Sequence, residues 1–215
     1  MSSDDEARRA AERVARDSYG RLVAFLSART RDVGGAEDAL AEAFAAALRF
    51  WPTDGVPDNP DAWLLTVARR RQTDGLRRRQ TRSAGEATVK LIAEEIEETR
   101  YEAGTIPDRR LALMFACAHP AIEAGMRAPL ILQTILGLTA KDIASAFLIS
   151  PATMGQRLVR AKTRIRDAGV PFAIPETADL PERLGAVLDA VYAAFSKGWT
   201  HSRTPATPEL AGEAI

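Results

Sequence analysis

The side chains best suited to chemistry in this sequence lie on a predicted helix over residues 151–167. Met154, Leu158, Ala161 and Ile165 follow helical spacing and predict a buried stripe. Arginines and polar residues recur about 100° away and predict an outward face. A guanidinium can pair with guanine O6 and N7 or bind a phosphate, and a glutamine can pair with adenine. The candidates for DNA contact are Thr153, Gln156, Arg157, Arg160, Lys162 and Arg164.

The residues before this helix have the signals of a helix-turn-helix. In LTAKDIASAFLISPATMGQRLVRAKTRIR (138–166), Thr139 can cap a first helix, with Asp142 three residues later. Ile143, Ala144 and Phe147 supply its apolar side. Ser150 can cap the second helix, and Pro151 suits its first turn. The pattern predicts that the second helix enters the major groove of DNA, although an ordinary amphipathic surface helix remains the alternative.

A second cationic helix is predicted near residues 61–79. WLLTVARRRQTDGLRRR (63–79) alternates apolar anchors with arginines, which the two nearby aspartates are too few to pair. Asp61 is expected to cap this helix. Trp51, placed in the preceding loop, and Trp63 could stack on unpaired bases or pack in a core. Core packing is expected for Trp63 more than for Trp51.

Charge and composition exclude several classes of protein. The chain has 215 residues, 29 basic and 29 acidic side chains, and one Cys. A lone Cys excludes a disulfide framework and fits a reducing compartment. With no apolar run near the roughly 18 residues of a membrane span and no signal peptide, we expect a cytoplasmic protein. Cys117 and His119 are too few for a metal site, so we expect a buried thiol and no cofactor.

The charges form blocks that suggest the domain organisation. Residues 61–82 have a net charge of +5 (7 Arg, 2 Asp), residues 83–108 of −5 (7 acids, 2 bases), and residues 139–168 of +4 (6 bases, 2 Asp). Nearly all apolar residues recur at helical spacing. We predict an all-α fold of two small helical domains joined by an acidic linker, the second domain containing the helix-turn-helix. The predicted ranges are 1–82, 83–106 (linker), 107–169, and 170–215 with a final helix over 182–195.

An acidic and apolar helix is predicted over residues 36–50, after a break at Gly34-Gly35. Its carboxylates do not suit DNA, but together with exposed apolar residues they suit a protein partner with a basic and apolar surface. Taken alone, the pattern also fits a solvated helix face. The candidate contacts are Glu37, Asp38, Leu40, Glu42 and Phe44.

These three segments together resemble the sigma factors of the extracytoplasmic-function (ECF) class. AEDALAEAFAAALRFWP (36–52) resembles the helix that binds the core of RNA polymerase, through its beta and beta-prime subunits. DNPDAWLLTVARRRQTDGLRRR (58–79) resembles the helix that reads and melts the promoter −10 element, and residues 138–166 resemble the −35 reader. The resemblance implies −10 contacts by Trp51, Asn59, Trp63, Arg69, Arg70, Arg71, Arg77 and Arg78. Many ECF members have Asn where this chain has Arg70, so we expect a different −10 preference.

Three segments resemble the ECF group that has a large C-terminal helical extension. They are PDNPDAWLLTVARRR, FACAHPAI and ERLGAVLDAVYAAFSKGW (182–199). Such an extension would end here after about one helix, which predicts either a fragment or a lost extension. The resemblance implies regulation by the extension or by an anti-sigma protein.

Two other classes of function stay open at this point. A stand-alone helix-turn-helix regulator would bind duplex DNA without polymerase, usually as a dimer. A helical enzyme is the third class, but the sequence has neither a phosphate-binding glycine loop nor an apolar carboxylate pair.

Overall fold

The computed structural model describes residues 2–80 and 106–201, and the side chains of 75–80 and 197–201 are not described. Most of the predicted acidic linker and the segment from residue 202 onward lie outside these ranges. The described residues form eight helices and no strand, so the all-α prediction is confirmed for them. The helices are α1 (Ser3–Thr30), α2 (Val33–Asp54), α3 (Pro60–Gln80), α4 (Arg110–Cys117), α5 (Ala124–Leu136), α6 (Ala140–Ala146), α7 (Pro151–Asp167) and α8 (Leu180–His201).

The helices divide into two compact units. Unit 1 holds α1, α3 and α2 from Gly34 onward, and unit 2 holds Arg31–Val33 together with α4 to α8. The domain boundaries at residues 82, 106 and 169 stay a prediction.

Unit 1 is built on contacts of α1 with α3 and of α2 with α3. The break between α1 and α2 falls at Arg31, which has a positive φ of 54°. The prediction that the helix break lies at Gly34-Gly35 is therefore wrong. Both glycines lie inside α2, where each costs up to about 1 kcal/mol relative to alanine. Burial of Ala36 and Leu40 on the same helix offsets that cost.

Two prolines lie inside helices rather than at their ends. α2 continues through Pro52 to Asp54, and α5 begins at Ala124, five residues before Pro129. Each proline removes one backbone hydrogen bond near a helix terminus. In α5 the burial of Met126 and Leu130 compensates for that bond.

Unit 2 is organised around α5, which contacts α4, α6, α7 and α8. α8 buries Val187, Ala190 and Ala194. A second row on α8 is exposed and consists of Leu184, Leu188, Tyr192 and Phe195. None of the helices in residues 2–80 and 106–201 has an apolar stretch of the length that a bilayer crossing requires.

Candidate nucleic-acid interface

Local capping positions the two helices of the predicted helix-turn-helix. Thr139 and Asp142 form a capping box on α6, with the Asp142 N–H donating to Thr139 Oγ1 at 3.2 Å. Ser150 caps α7 by accepting from the Thr153 N–H at 3.1 Å, and Pro151 occupies the first turn. Both predicted caps are confirmed. They begin each helix at a defined residue and so define the turn between them.

The apolar stripe of α7 faces the interior, as predicted. Its buried residues are Met154, Leu158, Ala161 and Ile165. They pack with the buried Ile143 and Ala144 of α6, since α6 and α7 are in contact. Phe147 departs from the prediction, because it caps the end of α6 and remains partly exposed. The next residue, Leu148, has a positive φ of 54° and is 93% exposed.

The three predicted arginines of α7 lie beside one cleft. Arg157, Arg160 and Arg164 are exposed and line a cavity of about 440 Å³. The other lining residues are Ala121, Ile122, Glu123, Met126 and Ala161. Glu123 is the N-cap of α5, so the start of that helix forms one wall. With three guanidiniums and one carboxylate, the cleft has a net positive charge that favours anions.

The remaining predicted contacts on α7 differ in exposure. Gln156 is exposed and Lys162 is half-buried. The Thr153 hydroxyl lies 2.8 Å from Ser150 Oγ and belongs to the N-terminal cap. The position of Thr153 in α7 is therefore explained by its role in the cap, without a DNA contact.

Trp51 is placed differently from the prediction. It lies inside α2 rather than in a loop, and it is only 2% exposed. Its ring meets that of the half-buried Trp63 edge-to-face, with 5.4 Å between the centroids. Trp51 is therefore a core residue that joins α2 to α3, and it is not available for stacking on bases. The expectation that Trp63 would be the more deeply packed of the two is also wrong.

The start of α3 is capped by Asn59, not by Asp61. Asn59 Oδ1 accepts from the Ala62 N–H at 3.1 Å. Asp61 instead binds Arg21 of α1, with 3.1 Å between Asp61 Oδ2 and Arg21 Nη2. Arg21 was not singled out from the sequence, because it lies 40 residues from its partner and no local pattern links them.

The arginines of α3 have different surroundings. Arg69 places its Cζ 5.2 Å from the centroid of the Phe25 ring, a cation–π arrangement. Arg71 Nε lies 3.2 Å from Glu42 Oε2 of α2, and both side chains are largely exposed. Arg70 is exposed. The side chains of Arg77 and Arg78 lie outside the described residues.

The predicted partner-binding face of α2 is only partly at the surface. Leu40 is 0% exposed, so it belongs to the core and the prediction that it contacts a partner is wrong. Asp38 and Glu42 are exposed, while Phe44 and Glu37 are half-buried. Burial, followed by the charge of Glu37, raises the pKa of the Tyr19 hydroxyl. Two further apolar residues of α2, Leu48 and Phe50, are 50% and 45% exposed.

Cys117 and His119 serve the packing of unit 2. Cys117 is fully buried, with its Sγ 3.7 Å from Thr134 Oγ1. His119 Nδ1 accepts the Ala121 N–H at 3.1 Å and so closes the turn after α4. The buried-thiol interpretation of Cys117 is confirmed.

Comparisons with known proteins match both units. Residues 14–82 match the Sigma-70 region 2 family, and residues 113–165 match the Sigma-70, region 4 family. The chain is 37% identical over 191 residues to an uncharacterised protein of Rhizobium meliloti, an overlap covering 86% of this chain and 45% of that protein. It is 28% identical over 165 residues to a Xanthomonas campestris protein named "Probable RNA polymerase sigma factor RfaY", covering 70% of this chain and 40% of that protein.

The chain thus spans less than half the length of these curated relatives. No solved structure matches it significantly. Region 2 precedes region 4 along the chain, and the region 4 match includes the helix-turn-helix and its cationic face. The chain belongs to the sigma-70 family, as a member of its extracytoplasmic-function class.

Proposed function

We propose that this chain directs the core of RNA polymerase to promoters by contacting their −10 and −35 elements. The observation that carries the proposal is the capped α7 helix, whose core stripe is buried while Gln156 and three arginines remain exposed. A helix of this kind can insert into a major groove and bind both bases and phosphates.

The exposed part of α2 is the proposed contact with the beta and beta-prime subunits. It combines the carboxylates of Asp38 and Glu42 with the apolar surface of Leu48 and Phe50. Charged residues at the rim of an interface orient the partners and raise their association rate, while buried apolar residues supply most of the binding affinity. Phe44 adds apolar area at the edge of this face.

The −10 contact is proposed for the loop before α3 and for the arginines on α3. Arg70 is exposed and can bind a phosphate, and Arg71 can do so after exchanging its partner Glu42. Breaking that exposed ion pair costs at most about 1 kcal/mol. Asn59 acts here through the cap that begins α3. Unstacking a base costs a few kcal/mol, which these contacts and the polymerase must offset.

This function requires no covalent step by the chain itself. Sigma factors are DNA-binding regulators, so the proposal includes no catalytic residue and no cofactor. A protein that works on polymerase and promoter DNA would act in the cytoplasm. Regulation by an anti-sigma protein or by a C-terminal extension remains part of the proposal.

The direct test is run-off transcription with purified core polymerase and a library of candidate promoters. We expect promoter-dependent product with the wild-type chain and at least a tenfold loss with Arg157→Gln combined with Arg160→Gln. Arg109→Gln is the matched control, because Arg109 is exposed in the same unit and makes no side-chain cap bond. Absence of product from every promoter would refute the proposal.

A gel shift separates this function from that of a stand-alone regulator. We expect tight promoter binding only when core polymerase is present. Equal affinity of the free chain for duplex promoter DNA would favour the stand-alone regulator instead.

A further inference from the structure

We propose that Ala152, Gln156 and Val159 discriminate the bases of the −35 element, while the arginines of α7 hold the DNA backbone. These three residues are called the reading row below. The inference rests on the proposed function and assigns its base specificity to particular side chains.

The reading row lies in the N-terminal half of α7, on the side that points away from the core. Successive residues of an α-helix are rotated by about 100°, so the direction opposite to the buried stripe can be located along the chain. Gln156 lies within about 10° of that direction, Ala152 within about 30° and Val159 within about 50°. All three are exposed, and Val159 is 61% exposed despite its apolar side chain.

Cations lie on both flanks of the reading row. Arg157 and Arg164 are turned about 90–110° from the outward direction on one side, and Lys162 and Arg166 about 70–110° on the other. Arg160 is turned about 50° towards the side of Arg157 and Arg164, and it lines the same cleft as they do. A helix inserted in the major groove points its outward row at the base edges and its two flanks at the two phosphate strands. The cations of α7 lie on both sides of the reading row, as this mode of insertion requires.

The cleft beside α7 supports a backbone role for the arginines. Arg157, Arg160 and Arg164 border a space whose opposite wall is the start of α5. Helix N-termini attract anions through their unpaired N–H groups, and the three guanidiniums outnumber the carboxylate of Glu123. The cleft therefore suits a phosphate of the promoter more than the edge of a base.

The chemistry of the reading row predicts which bases it prefers. A glutamine amide pairs with adenine N6 and N7, and apolar side chains contact the C5-methyl group of thymine. Four residues of helix advance about 6 Å and three residues about 4.5 Å. The row therefore extends over about three base pairs at 3.4 Å each. We expect a −35 element in which one adenine and at least one thymine are read by this row.

The test uses in vitro transcription with core polymerase and a promoter library randomised at the −35 element. Gln156→Ala and Val159→Ala are informative variants, because both side chains are exposed and alanine favours a helix. We expect Gln156→Ala to lose on the order of tenfold preference for one adenine. We expect Val159→Ala to lose about fourfold preference for one thymine.

Deleting the methyl group of the thymine tests whether Val159 contacts that group. Replacing that thymine by deoxyuracil removes only the C5-methyl group, so wild-type activity should fall about fourfold while Val159→Ala activity should not change. Arg164→Gln is the matched control. We expect it to weaken transcription from all sequences and to reduce the salt dependence of DNA binding by about one charge, without changing the preferred bases.

The two proposals fail in distinguishable ways. If no promoter is transcribed by the wild-type chain, the proposed function fails. If transcription occurs but base preference changes with Arg157→Gln or Arg164→Gln and not with the reading-row variants, the inference is overturned while the function stands.

Discussion

Replacing Trp51 by alanine tests whether this ring supports the fold or contacts DNA. Trp51 is 2% exposed and packs edge-to-face on Trp63, so its truncation should leave a cavity between α2 and α3. Large-to-small substitutions of buried aromatic residues cost about 3–5 kcal/mol. Because a small domain loses about 4–8 °C in melting temperature per kcal/mol, unit 1 should melt at least about 12 °C lower.

A second variant and a neighbouring control sharpen this experiment. Among the described residues, no protein acceptor receives the Trp51 Nε1–H, so Trp51→Phe keeps an aromatic ring and removes an unpaired donor. We expect it to cost less than half as much as Trp51→Ala. Phe50→Ala, at an exposed neighbour, should cost under about 1 kcal/mol and should weaken binding to core polymerase.

The measurement is thermal unfolding followed by far-UV circular dichroism, combined with affinity for single-stranded −10 DNA in the polymerase complex. Trp51→Ala protein that still folds at low temperature should retain that affinity. A variant that melts within about 2 °C of the wild type but no longer binds the −10 strand would refute our placement of Trp51 in the core.

Three further perturbations concern unit 2. Thr139→Ala should lower its free energy of unfolding by about 1 kcal/mol, because the capping box with Asp142 is lost; an unchanged urea midpoint would contradict this. Leu148→Gly should raise the urea midpoint, by about 0.5–1 kcal/mol in stability, since the exposed side chain contributes little packing and the left-handed backbone is strained; a lower midpoint would contradict it. Burial, with the charge of Arg183 as the next cause, lowers the pKa of His119 below 6.5, so the unfolded chain binds a proton that the folded chain releases. Unit 2 should therefore lose stability as the pH falls through 6.5, and this slope should be smaller in His119→Gln, as urea unfolding at several pH values would show.

Capping and amphipathic periodicity made the helix-turn-helix predictable from sequence. Thr139, Asp142, Ser150 and Pro151 act within four residues of one another in each cap, and the buried stripe of α7 repeats at helical spacing. Interactions of this range depend on the local chain alone. The all-α class of fold and the two helices of the helix-turn-helix therefore followed from local sequence.

The length of α2 was not predictable from local sequence in the same way. Proline at position 52 and two consecutive glycines at 34 and 35 indicate breaks in an isolated chain, yet α2 runs through all three. Packing of residues such as Leu40 and Trp51 compensates for the local cost. That compensation comes from other helices, so the sequence pattern of one segment does not contain it.

Local sequence was enough to predict an all-α chain, the start of the helix-turn-helix and the buried stripe of α7, because caps and helical periodicity act over a few residues. Contacts across the fold place Trp51 and Leu40 in the core, pair Asp61 with Arg21 so that it does not cap α3, and put the arginines of α7 along a cleft against α5. These outcomes depend on which partner a side chain meets across the fold. Such contacts join residues far apart in the chain, and no local spacing specifies them.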